Sequence, residues 1–203
     1  MECSATTKTR GRPREFDPEQ ALAKALRVFW EQGYEGASMS ELTEAMGITK
    51  PSLHACFGNK EALFKKALDL YEREKLCYVS TALEAPTARG VAERLLNGAL
   101  AAHCGSHDPQ GCLGVISTVA CTPEAASIRQ EVIARRASSE AALVNRFERA
   151  RAEGDLPDSV EPKALTHYLT TVMHGIAVKA QGGISREDLK GVVDTFLAVW
   201  PGR

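Results

Sequence analysis

The chain has no apolar run approaching the ~18 to 20 residues that a membrane-spanning helix needs, and its start, MECSATTKTRGRPREFD, places no apolar stretch behind its charges as a secretion signal does. Neither a bilayer partner nor export is expected, and the cytoplasm is the expected location. The six cysteines, Cys3, Cys56, Cys77, Cys104, Cys112 and Cys121, contain no Cys-x-x-Cys pair, so a zinc knuckle and a dithiol redox motif are excluded and a disulfide framework is not expected. Net charge is −1, which lacks the general basic surplus of a nonspecific nucleic-acid binder; any DNA contact must rest on where charge is placed. Strand-like alternation is missing as well. So are a phosphate-cradling glycine loop, a His-Glu metal helix and a nucleophile elbow, leaving no catalytic residue, metal or cofactor to assign.

What is present is a folding composition of 44% hydrophobic and 25% charged residues over 203 positions, enough for one compact domain or a small domain joined to a larger one. Apolar residues recur at three and four positions almost throughout, so the fold class is all-α. Asp17 and Pro18 open a first helix, with Leu22, Leu26 and Phe29 on its apolar face and Gly33 as its stop. Ser38 and Glu41 form a capping box for a short helix ended by Gly47. Thr49 caps another from Lys50 to about Phe57, and Asn59 caps a long one carrying Leu63, Phe64, Leu68 and Tyr71. Two short helices separated by a three-residue turn and flanked by longer ones have helix-turn-helix geometry.

The stretch Ser38 to Lys60, SMSELTEAMGITKPSLHACFGNK, resembles the TetR-type repressors in its order of Ser38, Ala45, Gly47, Ile48, Thr49, Lys50, Ser52, Leu53, Phe57 and Lys60. The resemblance implies an N-terminal three-helix helix-turn-helix DNA-binding domain followed by a C-terminal helical domain for effector binding and dimerisation. On that basis residues 1–15 form a basic flexible arm, 16–60 the DNA-binding domain and 61–203 the effector-binding and dimerisation domain. Double-stranded operator DNA is the expected partner, met by Ser38, Ser40, Thr49, Lys50, Ser52, His54 and Lys60; Lys60, in the first turn of its helix, suits a phosphate. Leu53 and Phe57 fall on the core face. The family usually has Tyr where this chain has His54, and often another aromatic or His at Cys56, so the operator sequence does not transfer from relatives. Ahead of the domain, Arg10-Gly11-Arg12-Pro13-Arg14 is similar to an AT-hook core, whose arginines enter a narrow minor groove.

After the loop Gly105 to Gly111, Gly111-Cys112-Leu113 is similar to a subset of the family in which some members respond to electrophiles or metals. Cys104 and Cys112 flank the loop, with His103 and His107 nearby, and three roles remain open: a thiol switch, a metal site or simple packing. An ordinary small-molecule effector would instead occupy a pocket among the middle helices, with Tyr71, Tyr78, Phe147, His167, Tyr168, Met173 and His174 as candidate walls. A long helix after Pro123 places Arg129, Glu131, Arg135, Arg136 and Glu140 on a charged side. Two C-terminal helices, from about Pro162 to Gln181 and from Ser185 to Trp200, carry more apolar surface than one chain needs, Leu189, Val192, Val193, Phe196, Leu197 and Trp200 forming a stripe. A homodimer through those helices follows. The alternative function is a thiol-dependent or metal-binding enzyme.

Overall fold

A computed structural model describes residues 16–105, 107–119 and 122–202. The arm with Arg10, Arg12 and Arg14, together with Cys3 and Cys121, lies outside them. Among the described residues there are ten α-helices and no strand. Helix α1 (Pro18–Gly36) begins where the Asp17 carboxylate accepts the Glu19 N–H at 2.9 Å, with Pro18 at the first position. Ala21, Ala25, Leu26, Phe29 and Trp30 recur at helical spacing and are buried. Its regular geometry breaks at Gly33, whose φ of 73° is left-handed, and one further turn follows to Gly36.

Both halves of the Ser38–Glu41 capping box form, at 2.9 and 3.1 Å, and open α2 (Met39–Met46). Gly47 closes it in the left-handed region and turns the chain into α3 (Lys50–Phe57), where Thr49 accepts the Ser52 N–H. Helix α4 (Lys60–Lys75) starts on the Asn59 cap. Helix α1 packs on α2 and α4, and Phe29, Phe64 and Tyr34 meet in edge-on and stacked ring pairs that fasten α1 to α4.

The short α5 (Tyr78–Ala82) is unforeseen by periodicity, because five residues are too few to show a repeat. Helices α6 (Ala88–His103), α7 (Leu113–Val119), α8 (Ala126–Ala152), α9 (Pro162–Gln181) and α10 (Arg186–Ala198) follow, with a 3₁₀ turn at Pro123–Ala125 ahead of α8. Two hydrophobic clusters result. One joins α1 to α4 with Leu113 of α7 and Ile128 and Val132 of α8; the other joins α6, the second half of α8, α9 and α10.

The second cluster corrects the expected C-terminal stripe. Leu189, Val193, Phe196, Leu197 and Trp200 are buried within the single chain, packed with α6, α8 and α9. Exposed apolar surface lies on the opposite faces: Tyr168 and Val178 on α9, Val192 on α10, and Ile184 and Val199 beside them.

Helix α5 lies on α6 at Gly98, where a Cβ would overlap the Tyr78 ring down to its first carbon. Alanine favours a helix interior over glycine by about 1 kcal/mol, but forcing a packed, half-buried ring aside costs about 1 to 3 kcal/mol. The overlap is expected to prevail in Gly98→Ala, giving a lower urea midpoint than the wild type. A raised midpoint would show that Tyr78 moves freely.

Candidate nucleic-acid interface and effector cavity

Helix α3 has one face committed to the core and one left to solvent. Leu53 and Phe57 are buried, while Lys50, His54, Ala55 and the cap residue Thr49 are exposed, and Ser52 is half-buried. The Thr49 and Ser52 hydroxyls are 2.9 Å apart, so the cap is doubly tied. Ser38 and Ser40, at the start of α2, are exposed as well. Lys60 sits in the first turn of α4 with its Nζ 4.7 Å from the centre of the Tyr34 ring. Partial burial holds its pKa below the usual lysine value, with the carboxylates of Glu35 and Glu41 pulling it back up.

Behind this surface, α4, α5, α6, α8 and α9 and the start of α7 line a half-open cavity of about 660 Å³. Of the residues singled out in the sequence, Tyr71, Tyr78, His103, Cys112, Met173 and His174 line it. Phe147 lies in the core against Trp200 with ring centres 5.9 Å apart. His167 faces Glu140 at 3.9 Å on the surface, Tyr168 stacks on Phe196 from the exposed side, and Cys104 packs half-buried against the second cluster. Burial raises the Cys104 pKa. Cys104 and Cys112 are both free thiols. Among the described residues no three His, Cys, Asp or Glu side chains converge as a metal site requires, so His103, Cys104, His107 and Cys112 form no such group.

The cavity wall connects directly to the DNA-reading helices. The Trp30 indole of α1 donates to the Gly111 carbonyl at 2.9 Å, and the His103 Nδ1–H donates to the same oxygen at 3.1 Å. Cys112 is the next residue, and its own carbonyl accepts the first bond of α7 from the Ile116 N–H at 3.0 Å. Asp108 in the same loop pairs with Lys75 at 2.6 Å, and Arg27 of α1 donates to the His107 carbonyl at 3.0 Å. Arg135 of α8 reaches Asp69 and Glu72 of α4 at 2.7 and 2.8 Å.

Sequence reasoning misses the Trp30 link, since an 81-residue separation has no local signature. It also misses Arg136, which it groups with the charged side of its helix. That residue stands four after Val132 and seven before Leu143, on the apolar stripe of α8; a cation at an apolar register is the available signal. Arg136 and His103 both line the cavity.

A helix-turn-helix with an exposed recognition face, backed by a ligand-sized cavity, agrees with what the chain is similar to. The family of bacterial regulatory proteins of the tetR type matches residues 21–67. Over 210 residues the chain is 32% identical to the HTH-type transcriptional repressor ComR of Escherichia coli, covering 96% of this chain and 93% of that one. The chain belongs to the TetR family. A second TetR-family relative in Escherichia coli, the HTH-type transcriptional repressor BdcR, is 29% identical over 181 residues, covering 88% and 86% of the two chains. The structure of the TetR family regulator CifR, a cysteine mutant complexed with 26 bp double-strand operator DNA, superposes with a TM-score of 0.89 at 40% identity, covering 94% of this chain and 100% of that one. Like its relatives, this TetR-family protein is a transcriptional regulator, all-α, with an N-terminal helix-turn-helix and a C-terminal helical domain. No helix among its described residues is long and apolar enough to cross a membrane.

Two histidines of this TetR-family cavity make its stability depend on pH. Burial holds both His103 and His174 down to about 4 from an ordinary 6.5; the Gly111 carbonyl partly offsets this for His103, and the Arg136 charge adds to it for His174. The unfolded chain takes up these protons first, so full stability is present above pH ~6.5 and is lost as pH falls toward ~4. Shifted carboxylates such as Glu41, Glu61 and Glu161 titrate below their ordinary 4.5, leaving the window above that to the histidines. Urea unfolding between pH 7 and 4.5 is expected to lose up to about 1.4 kcal/mol per pH unit for each histidine at the steepest point. His174→Gln should remove about half of that slope, and an unchanged slope would assign the loss elsewhere.

Proposed function

We propose that this TetR-family regulator is a repressor that binds operator DNA as a homodimer and is released when a small molecule or a thiol-reactive electrophile acts at the cavity. The observation that carries the reading is the Gly111 carbonyl: it ties the cavity wall, through Trp30, to the helix on which the recognition elements pack. Residues 16–60 serve as the DNA-binding domain and 61–203 as the effector-binding and dimerisation domain, with 1–15 as an arm whose Arg10, Arg12 and Arg14 enter a flanking minor groove. CifR, solved on operator DNA, supports the DNA partner, and the repressors ComR and BdcR support the direction of control. All three are regulators, which favours regulation over the thiol-dependent or metal-binding enzyme.

Contacts follow from exposure. Lys50, Ser52 and His54 on α3 face base edges or backbone, Thr49 with Ser38 and Ser40 border the groove, and Lys60 clamps a phosphate beside the free N–H groups opening α4. An electrophile would meet Cys112, which is half-buried in the cavity wall next to the shared carbonyl. Its adduct displaces the loop that holds Trp30, and with it the spacing of the two recognition helices, which must match about one turn of DNA, roughly 34 Å, or a multiple.

The dimer face is the exposed side of α9 and α10. Tyr168, Thr171, Gly175 and Val178 repeat at three and four positions on one helix, as Val192, Thr195 and Val199 do on the other. A Cβ at Gly175 or Gly191 would meet nothing within 4 Å, so this face is open to close approach by a second copy. Val178→Glu with Val192→Glu is expected to sediment as a folded monomer, whereas Val193→Glu, in the core, should unfold. A double variant that remains dimeric would overturn the interface.

The operator half is tested by titrating the chain's upstream DNA at several salt concentrations. Lys60→Ala is expected to weaken binding about tenfold with unchanged sequence preference and to reduce the salt slope by about one. Lys50→Ala should weaken it and also relax the preference. An unchanged affinity and slope in Lys60→Ala would remove the phosphate role.

A further inference from the structure

We propose that the cavity takes an organic anion, its carboxylate seated between Arg136 and Tyr71 and its apolar body against the leucine-rich wall. This inference rests on the effector reading above and names the chemical class of the ligand. The two cations side by side on α8 have different surroundings. Arg135 is satisfied by Glu131, Asp69 and Glu72 at 2.7 to 2.8 Å. Arg136 has no ion pair or hydrogen bond among the described residues, and its Nη2 is fully buried without a partner. Glu140, one turn further along α8, acts on the Arg136 charge from a distance but makes its own contact, at 3.9 Å, with His167.

Arg136 is half-buried and a guanidinium keeps its charge there, so its buried, unpartnered Nη2 carries a desolvation cost that a ligand can remove. The neighbouring polar group is held only loosely, by Cys112 and the Leu113 backbone. The Tyr71 hydroxyl, on α4, is buried without a well-formed hydrogen bond and lines the same cavity. The two converge on the start of α7. A Cβ at Gly114 would lie 3.6 Å from Arg136 Nη2 and 3.8 Å from Cys112 Sγ, and Tyr71 and Arg136 both interact electrostatically with that thiol. One end of the cavity thus offers a fixed cation and a hydroxyl donor, a pair suited to the oxygens of a carboxylate. Leu68, Leu76, Leu83, Leu95, Leu143 and Met173 give the wall an apolar side for the ligand's body, while Glu72 and Glu140, also in the lining, leave Arg136 as the cation not taken by a carboxylate. The charge excludes a purely hydrocarbon ligand, and the leucines exclude a small inorganic anion as the best fit.

The test is calorimetric titration of the full-length protein with two matched pairs, decanoate against decanamide and 2-naphthoate against 2-naphthamide. At least one acid is expected to bind wild type about tenfold or more tighter than its amide. Arg136→Met should abolish that preference while leaving amide binding within about threefold, with Arg136→Gln as the alternative if the Met variant does not fold. Tyr71→Phe, which keeps the ring packed on Trp30, should reduce the preference in part. Equal binding of acid and amide, no binding of any of the four, or a preference that survives in both Arg136 variants would overturn the proposal. Operator band shifts with the same compounds separate the two levels. An acid that binds through Arg136 without releasing DNA upholds the anion site and overturns the effector role; an amide that releases DNA with no acid preference upholds the effector role and overturns the anion site.

Discussion

A single carbonyl oxygen, that of Gly111, holds the two ends of this protein in register. It accepts the Trp30 indole from the helix-turn-helix end and His103 from the cavity end, and two acceptor lone pairs are all a carbonyl has. Both are therefore used. The position tolerates only glycine: φ is 88°, and a Cβ would press to 3.0 Å from the Gln181 side chain and 3.2 Å from the Ala177 carbonyl. Helix α9 thus bears on the same residue from a third side, so displacement of the loop is felt by α1, α6 and α9 together.

Charge is arranged around this joint in two different ways. Asp108 collects Lys75 and lies 3.8 Å from Arg27, while Arg135 collects three carboxylates on α4 and α8. These pairs are partly exposed, where each contributes at most about 1 kcal/mol, so they orient the helices more than they stabilise them. Arg146 is buried and uses carbonyls instead, donating to Leu83 and Ala85 at 3.2 and 2.8 Å and so closing the turn after α5. Of these three α8 arginines, Arg136 is the one left without a partner among the described residues.

Local chemistry is legible in the sequence and distant chemistry is not. Caps at Asp17, Ser38, Thr49, Asn59 and Ser185 act within three residues of themselves, and each is present as a hydrogen bond. Helices α7 and α9 begin and end where the apolar spacing and proline indicate. The C-terminal stripe is apolar as its spacing says but belongs to a different neighbour, because the periodicity of apolar residues tells which face is buried and not whose surface buries it. Helix position suffices to place Tyr71, Met173 and His174 at a pocket, whereas Tyr78 stands on the unforeseen α5; Phe147 also lies on a helix face, and only the packing of Trp200 against it decides that it belongs to the core. Arg136 is hidden among charged neighbours, and its register alone sets it apart from them.

The continuity of the first hydrophobic cluster bears on how the protein folds. Leu113, Ile128 and Val132, from α7 and α8, pack with the same residues as Phe29, Trp30 and Phe64, so the N-terminal helices cannot complete their core until the chain has been made as far as α8. Nascent α1 to α4 must wait with part of that surface uncovered. Denaturation is correspondingly expected to be one cooperative event across both clusters, and a chimera that exchanges the recognition helices between relatives must carry α7 and the start of α8 with them.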